Sequence, residues 1–118
     1  MQRLTVSLRA GFERSAGSLV FYFKGQLDAY SEKQFKTYVD DVLTANPLSI
    51  VLDLSDIDFL DSSGLGALVQ LAKQCKQSKR SFLVVGNARV TQTIKLVRLE
   101  EFLHLMPDLK TALNQLAA

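Results

Sequence analysis

The sequence predicts an α/β fold, a mixed β-sheet with helices packed mainly on one face. Strand-like and helix-like segments alternate after an opening pair of strands, an order that requires crossover connections and a partly parallel sheet. Each helical segment carries one apolar stripe, so each must press one face on that sheet. The 118 residues, 47% of them hydrophobic, can bury a core without disulfides or a structural metal. A single domain over residues 1–118 is therefore expected.

The elements follow in order. Leu4, Val6 and Leu8 alternate with Thr5, Ser7 and Arg9, the pattern of a half-buried strand. The polar stretch from Gly11 to Gly17 is bracketed by glycines and is predicted to turn the chain. Leu19 to Phe23 is β-branched and aromatic, a second strand antiparallel to the first. After Gly25-Gln26-Leu27-Asp28, either Asp28 or Ser31 caps a helix carrying Phe35, Tyr38, Val39, Val42 and Leu43, and Asn46-Pro47 stops it. Leu48 to Leu54 is a strand with Val51 on its second face, so both faces are expected to be covered. A turn from Asp61 to Gly66 leads into a helix with Leu65, Leu68, Val69, Ala72 and Cys75 inward, closing in Lys73, Lys76, Lys79 and Arg80. Phe82 to Val85 is a short buried strand, Val90, Ile94 and Val97 mark a helix, and Phe102 to Leu105 reads as a short strand. Pro107 suits the first turn of a last helix striped by Leu109, Ala112, Leu113 and Leu116.

Several function classes fall away. Fourteen basic and twelve acidic residues leave a net charge of +2, too even for direct nucleic-acid binding. The lone Cys75 excludes an internal disulfide and suits a reducing compartment. Met1-Gln2-Arg3-Leu4 does not resemble a signal peptide, and no apolar run approaches the roughly 20 residues of a membrane span. The expectation is a cytoplasmic monomer without membrane insertion. A serine hydrolase needs a base beside its nucleophile, yet the one histidine is His104 and no G-x-S-x-G elbow is present. Asp53, Asp56, Asp58 and Asp61 do not have EF-hand spacing and no Cys/His cluster exists, so no metal and no cofactor is expected. Cys75 lies on an apolar stripe and reads as packing. The basic residues 73–80 read as a solvated helix end, and Tyr22, Tyr30 and Tyr38 do not align as a stacking platform.

The segment from Asp53 to Gly66 is the unusual one. It joins a strand to a helix at the carboxyl end of the strand, where open α/β sheets meet ligands and partners. Asp61 or Ser62 can cap the helix there. Gly64 and Gly66 each cost roughly 1 kcal/mol relative to alanine at a helix start, which implies a close approach to the backbone. A serine at this position is exposed, and free amides at a helix N-terminus tolerate a phosphate. That phosphate would add about −1.5 to −2 charges.

Gly25-Gln26-Leu27-Asp28, Ile50-Val51-Leu52-Asp53-Leu54 and Phe59-Leu60-Asp61-Ser62-Ser63-Gly64-Leu65-Gly66 together resemble the bacterial STAS domain, and more narrowly its stand-alone anti-sigma factor antagonists. The resemblance spans nearly the whole chain. It implies a STAS-type fold and a regulator without catalytic residues. It implies phosphorylation of Ser62 by an anti-sigma factor with serine kinase activity, with Ser63 as neighbour. The unphosphorylated form would bind that kinase, and a PP2C-type phosphatase would reset the switch. Asp28, Asp61, Ser62, Ser63, Gly64, Leu65 and Gly66 are the implied partner-binding residues. Gln26 stands where the family more often has glutamate. An alternative within the same fold is a non-phosphorylated scaffold subunit, for example one docked on a transporter ATPase.

Overall fold

The computed structural model describes residues 1–46 and 48–117. Its order is β1 (Gln2–Arg3), β2 (Leu8–Ser15), β3 (Ser18–Leu27), α1 (Glu32–Ala45), β4 (Ile50–Leu60), α2 (Ser62–Gln77), β5 (Phe82–Gly86), α3 (Ala88–Leu96), β6 (Leu105–Met106) and α4 (Leu109–Ala117). The six strands form one sheet in sequence order. The first two pairings are antiparallel, and those from β3 through β6 are parallel.

Side-chain alternation sorts the helices. Ile50, Leu52 and Leu54 of β4 lie with Phe21, Phe23 and Val84 in a large core beneath α1, α2 and α3. Phe35 of α1 packs on Phe23 with ring centroids 4.7 Å apart. Val20, Val51, Leu83 and Val85 point to the opposite face, where Ala112, Leu109, Leu113 and Leu116 of α4 cover them. The mixed sheet with helices mainly on one face is thus present, and Val51 is covered as its position implied. No helix among the described residues is long and apolar enough to cross a membrane.

The boundaries differ from the sequence expectation in instructive places. Residues 4–7 bend instead of extending, and the stretch expected to turn from Gly11 is strand. Its polar side chains Glu13 and Arg14 point to opposite faces and are both exposed, so their polarity reflects a strand end uncovered on both faces and not a loop. The turn itself is only Ala16-Gly17, both at positive φ, between paired Ser15 and Ser18. β4 runs on to Leu60 because its pairing with β3 continues through two register shifts. α2 starts at Ser62, so the expected turn at Gly64 and Gly66 is helix, and Lys79 and Arg80 lie past its end. The last short strand is Leu105–Met106, without Phe102. Pro107 precedes α4, and Asp108 caps it by accepting from Thr111 N at 2.7 Å. Ser31 sits at the N-cap of α1 without a side-chain cap bond, and Asn46 is the C-cap. The stop assigned to Pro47 lies outside the described residues.

Candidate functional site

Ser62 is the first residue of α2, directly beyond the carboxyl end of β4, and its side chain is exposed. Asp61 precedes it in extended conformation and is the N-cap. Its Oδ1 accepts from Gly64 N at 2.9 Å, and its Oδ2 accepts from Ala29 N at 3.3 Å. Both carboxylate oxygens are committed, so Asp61 holds the helix start and the β3–α1 loop together. The amides of Ser62 and Ser63 belong to the first turn, where α-helix geometry provides no internal acceptor. An oxyanion on Ser62 therefore meets the positive end of the helix.

The two glycines of the motif separate in role. A Cβ on Gly64 would lie 2.3 Å from Leu27 O and 2.7 Å from Leu60 Cδ1, so the close approach there is the end of β3 against α2. A Cβ on Gly66 would meet nothing within 4 Å. Gly66 faces solvent one helical turn after Ser62, on the same face. Leu65 is buried in the main core and Ser63 is half-buried. Of the residues implied by resemblance, Ser62, Ser63, Asp61 and Gly66 meet at the surface, whereas Gly64 and Leu65 point inward.

Asp28 is 8% exposed. Its Oδ1 accepts from Tyr30 N at 2.9 Å and lies 3.2 Å from Ser31 Oγ. Ser31 Oγ donates to Gln26 O at 2.8 Å and accepts from Asp28 N at 3.0 Å. Oδ1 of the carboxylate is spent on the loop, and the side chain that the loop exposes most to solvent is Tyr30.

Two residues that the sequence reading passed over support the site. Beyond Leu54, β4 has lost β5 as a neighbour, because β5 ends at Gly86. Asn87 fills the gap: its Nδ2 donates to Ser55 O at 3.1 Å and to Ile57 O at 2.7 Å, while its Oδ1 caps α3 through Val90 N at 2.8 Å. Arg89 Nη1 donates to Asp58 O at 3.0 Å. These bonds keep the segment leading to Ser62 extended. A Gly-Asn pair closing a strand before a helical stripe is the signal that marks such a cap.

The remaining candidates lie elsewhere. His104 Nδ1 is 3.0 Å from Phe82 O, at the amino end of β5. Phe82 pairs with Ile50, so His104 and Ser62 are separated by nearly the full length of β4, roughly 30 Å at the usual strand rise. Asp53 accepts from Ser55 N at 3.0 Å, and among the described residues no group of three His, Cys, Asp or Glu is placed to hold a metal. Burial pushes the Cys75 thiol up to about 11, which makes it an inert packing group at neutral pH.

The STAS domain profile matches residues 10–112. The chain belongs to the STAS domain family. Within that family it is 28% identical over 98 residues to the anti-sigma-F factor antagonist RsfB of Mycobacterium tuberculosis, covering 83% of this chain and 80% of that one. The crystal structure of an anti-sigma factor antagonist from Mycobacterium paratuberculosis superposes with a TM-score of 0.87 at 26% identity, covering 95% of this chain and 96% of the other. The anti-sigma factor antagonist SpoIIAA in its unphosphorylated form shares the STAS fold with a TM-score of 0.74 at 15% identity, covering 91% and 95%.

Proposed function

We infer that this STAS domain is an anti-sigma factor antagonist whose partner choice is set by phosphorylation of Ser62. The observation that carries the reading is the placement of an exposed serine hydroxyl at the N-terminus of α2 with its neighbouring carboxylate already committed. Ser62 is then a substrate and this chain performs no catalysis. The partner is an anti-sigma factor with serine kinase activity. Ser62 Oγ attacks the γ-phosphorus of its ATP, the bond to the β-phosphate oxygen breaks, ADP leaves, and the hydroxyl proton passes to a base of the kinase. Asp61 does not serve as that base, since both its oxygens hold backbone amides. A PP2C-type phosphatase reverses the modification by hydrolysis.

The energetics favour a switch of binding over a switch of fold. The helix end favours a phosphate by about 0.3–1 kcal/mol, and the nearby Asp58 and Asp61 oppose it. Within the domain the helix-end effect is small beside a folding stability of about 5–15 kcal/mol. At a closed interface, like charges cost several kcal/mol, and about 1.4 kcal/mol is tenfold in affinity. The test is capture of the unmodified chain's partners from extract of its own cell, with mass spectrometry of the partners and of Ser62 after addition of Mg-ATP. A co-purifying kinase and phosphate on Ser62 support the reading. A transporter ATPase bound to a chain with unmodified Ser62 overturns it in favour of the scaffold role.

A further inference from the structure

Three of the large apolar side chains that the fold leaves in water lie on segments that meet at the end of β3 and β4 from which α2 starts. Tyr30 is 87% exposed, Val6 91% and Phe59 46%. Ala29 N donates to Asp61 Oδ2 at 3.3 Å, so Tyr30 sits one residue from a contact with the cap of α2. Phe59 lies two residues before Asp61 and is in register with Gln26 of β3. Gln26 N donates to Ser7 O at 2.9 Å, which sets Val6 on the next segment outward. Three separate segments at this end of the sheet thus each carry one uncovered apolar side chain.

The backbone at this end of the sheet is fixed far more firmly than the exposed side chains require. Asp28 O accepts from Ser31 N at 3.1 Å and from Glu32 N at 2.9 Å, in addition to the side-chain bonds that hold Tyr30 N and Gln26 O. Gly25, at φ +118, lets Ser7 O approach to where a Cβ would be 1.9 Å away. The ring of Tyr30 gains nothing from this rigidity inside the domain. A partner does gain, because a preorganised anchor loses little freedom on binding.

We propose that Tyr30, flanked by Val6 and Phe59, is the apolar anchor by which the protein kinase that modifies Ser62 docks on this chain. The proposal rests on the reading of Ser62 as phosphoacceptor. A specific interface covers roughly 800 Å² on each partner, a disc of about 16 Å radius. A kinase that brings ATP to Ser62 Oγ covers Tyr30 within that disc. Tyrosine is among the side chains that dominate binding energy when they enter a pocket. The exposed Asp58, three residues before the Asp61 cap, favours a partner surface that borders its apolar pocket with cations. A phosphate on Ser62 then adds its charge beside the anchor. Asp28 acts as a positioning residue, through the amide of Tyr30.

The experiment uses the full chain and the purified kinase that phosphorylates Ser62. It measures the dissociation constant of the unmodified chain, and KM and kcat for phosphorylation, with Tyr30→Ala, Tyr30→Phe and Leu96→Ala. Leu96 is a control of like chemistry, 76% exposed at the far end of α3. Tyr30→Ala is expected to weaken binding and raise KM about tenfold or more, with kcat within about twofold and thermal unfolding unchanged. Tyr30→Phe and Leu96→Ala are expected to stay near the parent chain. Asp28→Ala is expected to weaken binding, with Asp28→Asn restoring most of it. Parent-like binding and KM for Tyr30→Ala, with Ser62 still phosphorylated, overturns the docking proposal and leaves the switch standing. An equal loss in Leu96→Ala overturns it too. A parent chain that no kinase binds or phosphorylates overturns both readings.

Discussion

The Asp61 carboxylate joins Ala29 to Gly64: Oδ2 accepts the amide of the one at 3.3 Å and Oδ1 the amide of the other at 2.9 Å. One side chain thereby caps α2 and pins the β3–α1 loop beside Ser62. Asp61→Ala is expected to destabilise the domain by about 1–2 kcal/mol, since it removes a cap and frees two amides. Asp61→Asn keeps an accepting oxygen for the cap and is expected to lose less than half of that. Urea unfolding midpoints at constant slope measure both.

Gly64 and Gly66 are expected to respond to alanine in opposite directions. Gly64→Ala forces a Cβ against Leu27 O and should destabilise by about 1–3 kcal/mol. Gly66→Ala enters open space and should stabilise by about 1 kcal/mol through helix propensity. The same Gly66→Ala is expected to weaken binding of the Ser62 kinase, because the added methyl lies on the face of Ser62. Denaturation and a binding titration on one preparation read both effects.

The β2–β3 hairpin carries an avoidable strain. Ala16 has φ 51 and Gly17 has φ 80 in a two-residue loop. Asparagine tolerates the left-handed region that alanine resists, and Asn-Gly is the favoured pair for such a loop. Ala16→Asn is expected to stabilise by about 0.5–1 kcal/mol, read as a higher unfolding temperature without change in partner binding.

Alkaline stability depends on Cys75. Burial raises its folded-state pKa from 9.0 to about 11, so the folded chain holds the thiol proton more tightly than the unfolded chain. The stabilisation is complete below pH 9 and is lost progressively as pH rises through 11. Tyr22, raised to about 12 by burial and by its bond to Glu13, extends the decline upward. Cys75→Ala is expected to flatten the first part of the decline when unfolding free energy is measured against pH. An unchanged slope would refute the assignment.

Local patterns reveal the parts of this fold that local forces decide. The stripes of α1, α2 and α4 repeat at helical spacing and all face the sheet, and Ser62 stands where a strand meets a capped helix. The extension of β4 past Leu54 was hidden, because residues 55–60 hold two aspartates and stay extended through pairing with β3 and through bonds from Asn87 and Arg89, about thirty residues away. The polar strand β2 was hidden for a related reason: its charged side chains face solvent, which the sequence cannot distinguish from a loop. The inward turn of Asp28 depends on the loop backbone that it holds. Gly64 and Gly66 look alike in sequence, and only the position of Leu27 O separates them.

The most direct measurement is the affinity of the purified Ser62 kinase for the chain in four forms: unmodified, stoichiometrically phosphorylated at Ser62, Ser62→Ala and Ser62→Asp. The unmodified and alanine forms are expected to bind alike. The phosphorylated form should bind at least about thirtyfold more weakly, a loss of about 2 kcal/mol, with the aspartate form between them. Circular dichroism of the phosphorylated form should match that of the unmodified chain. Equal affinity for all four forms would contradict a switch at Ser62.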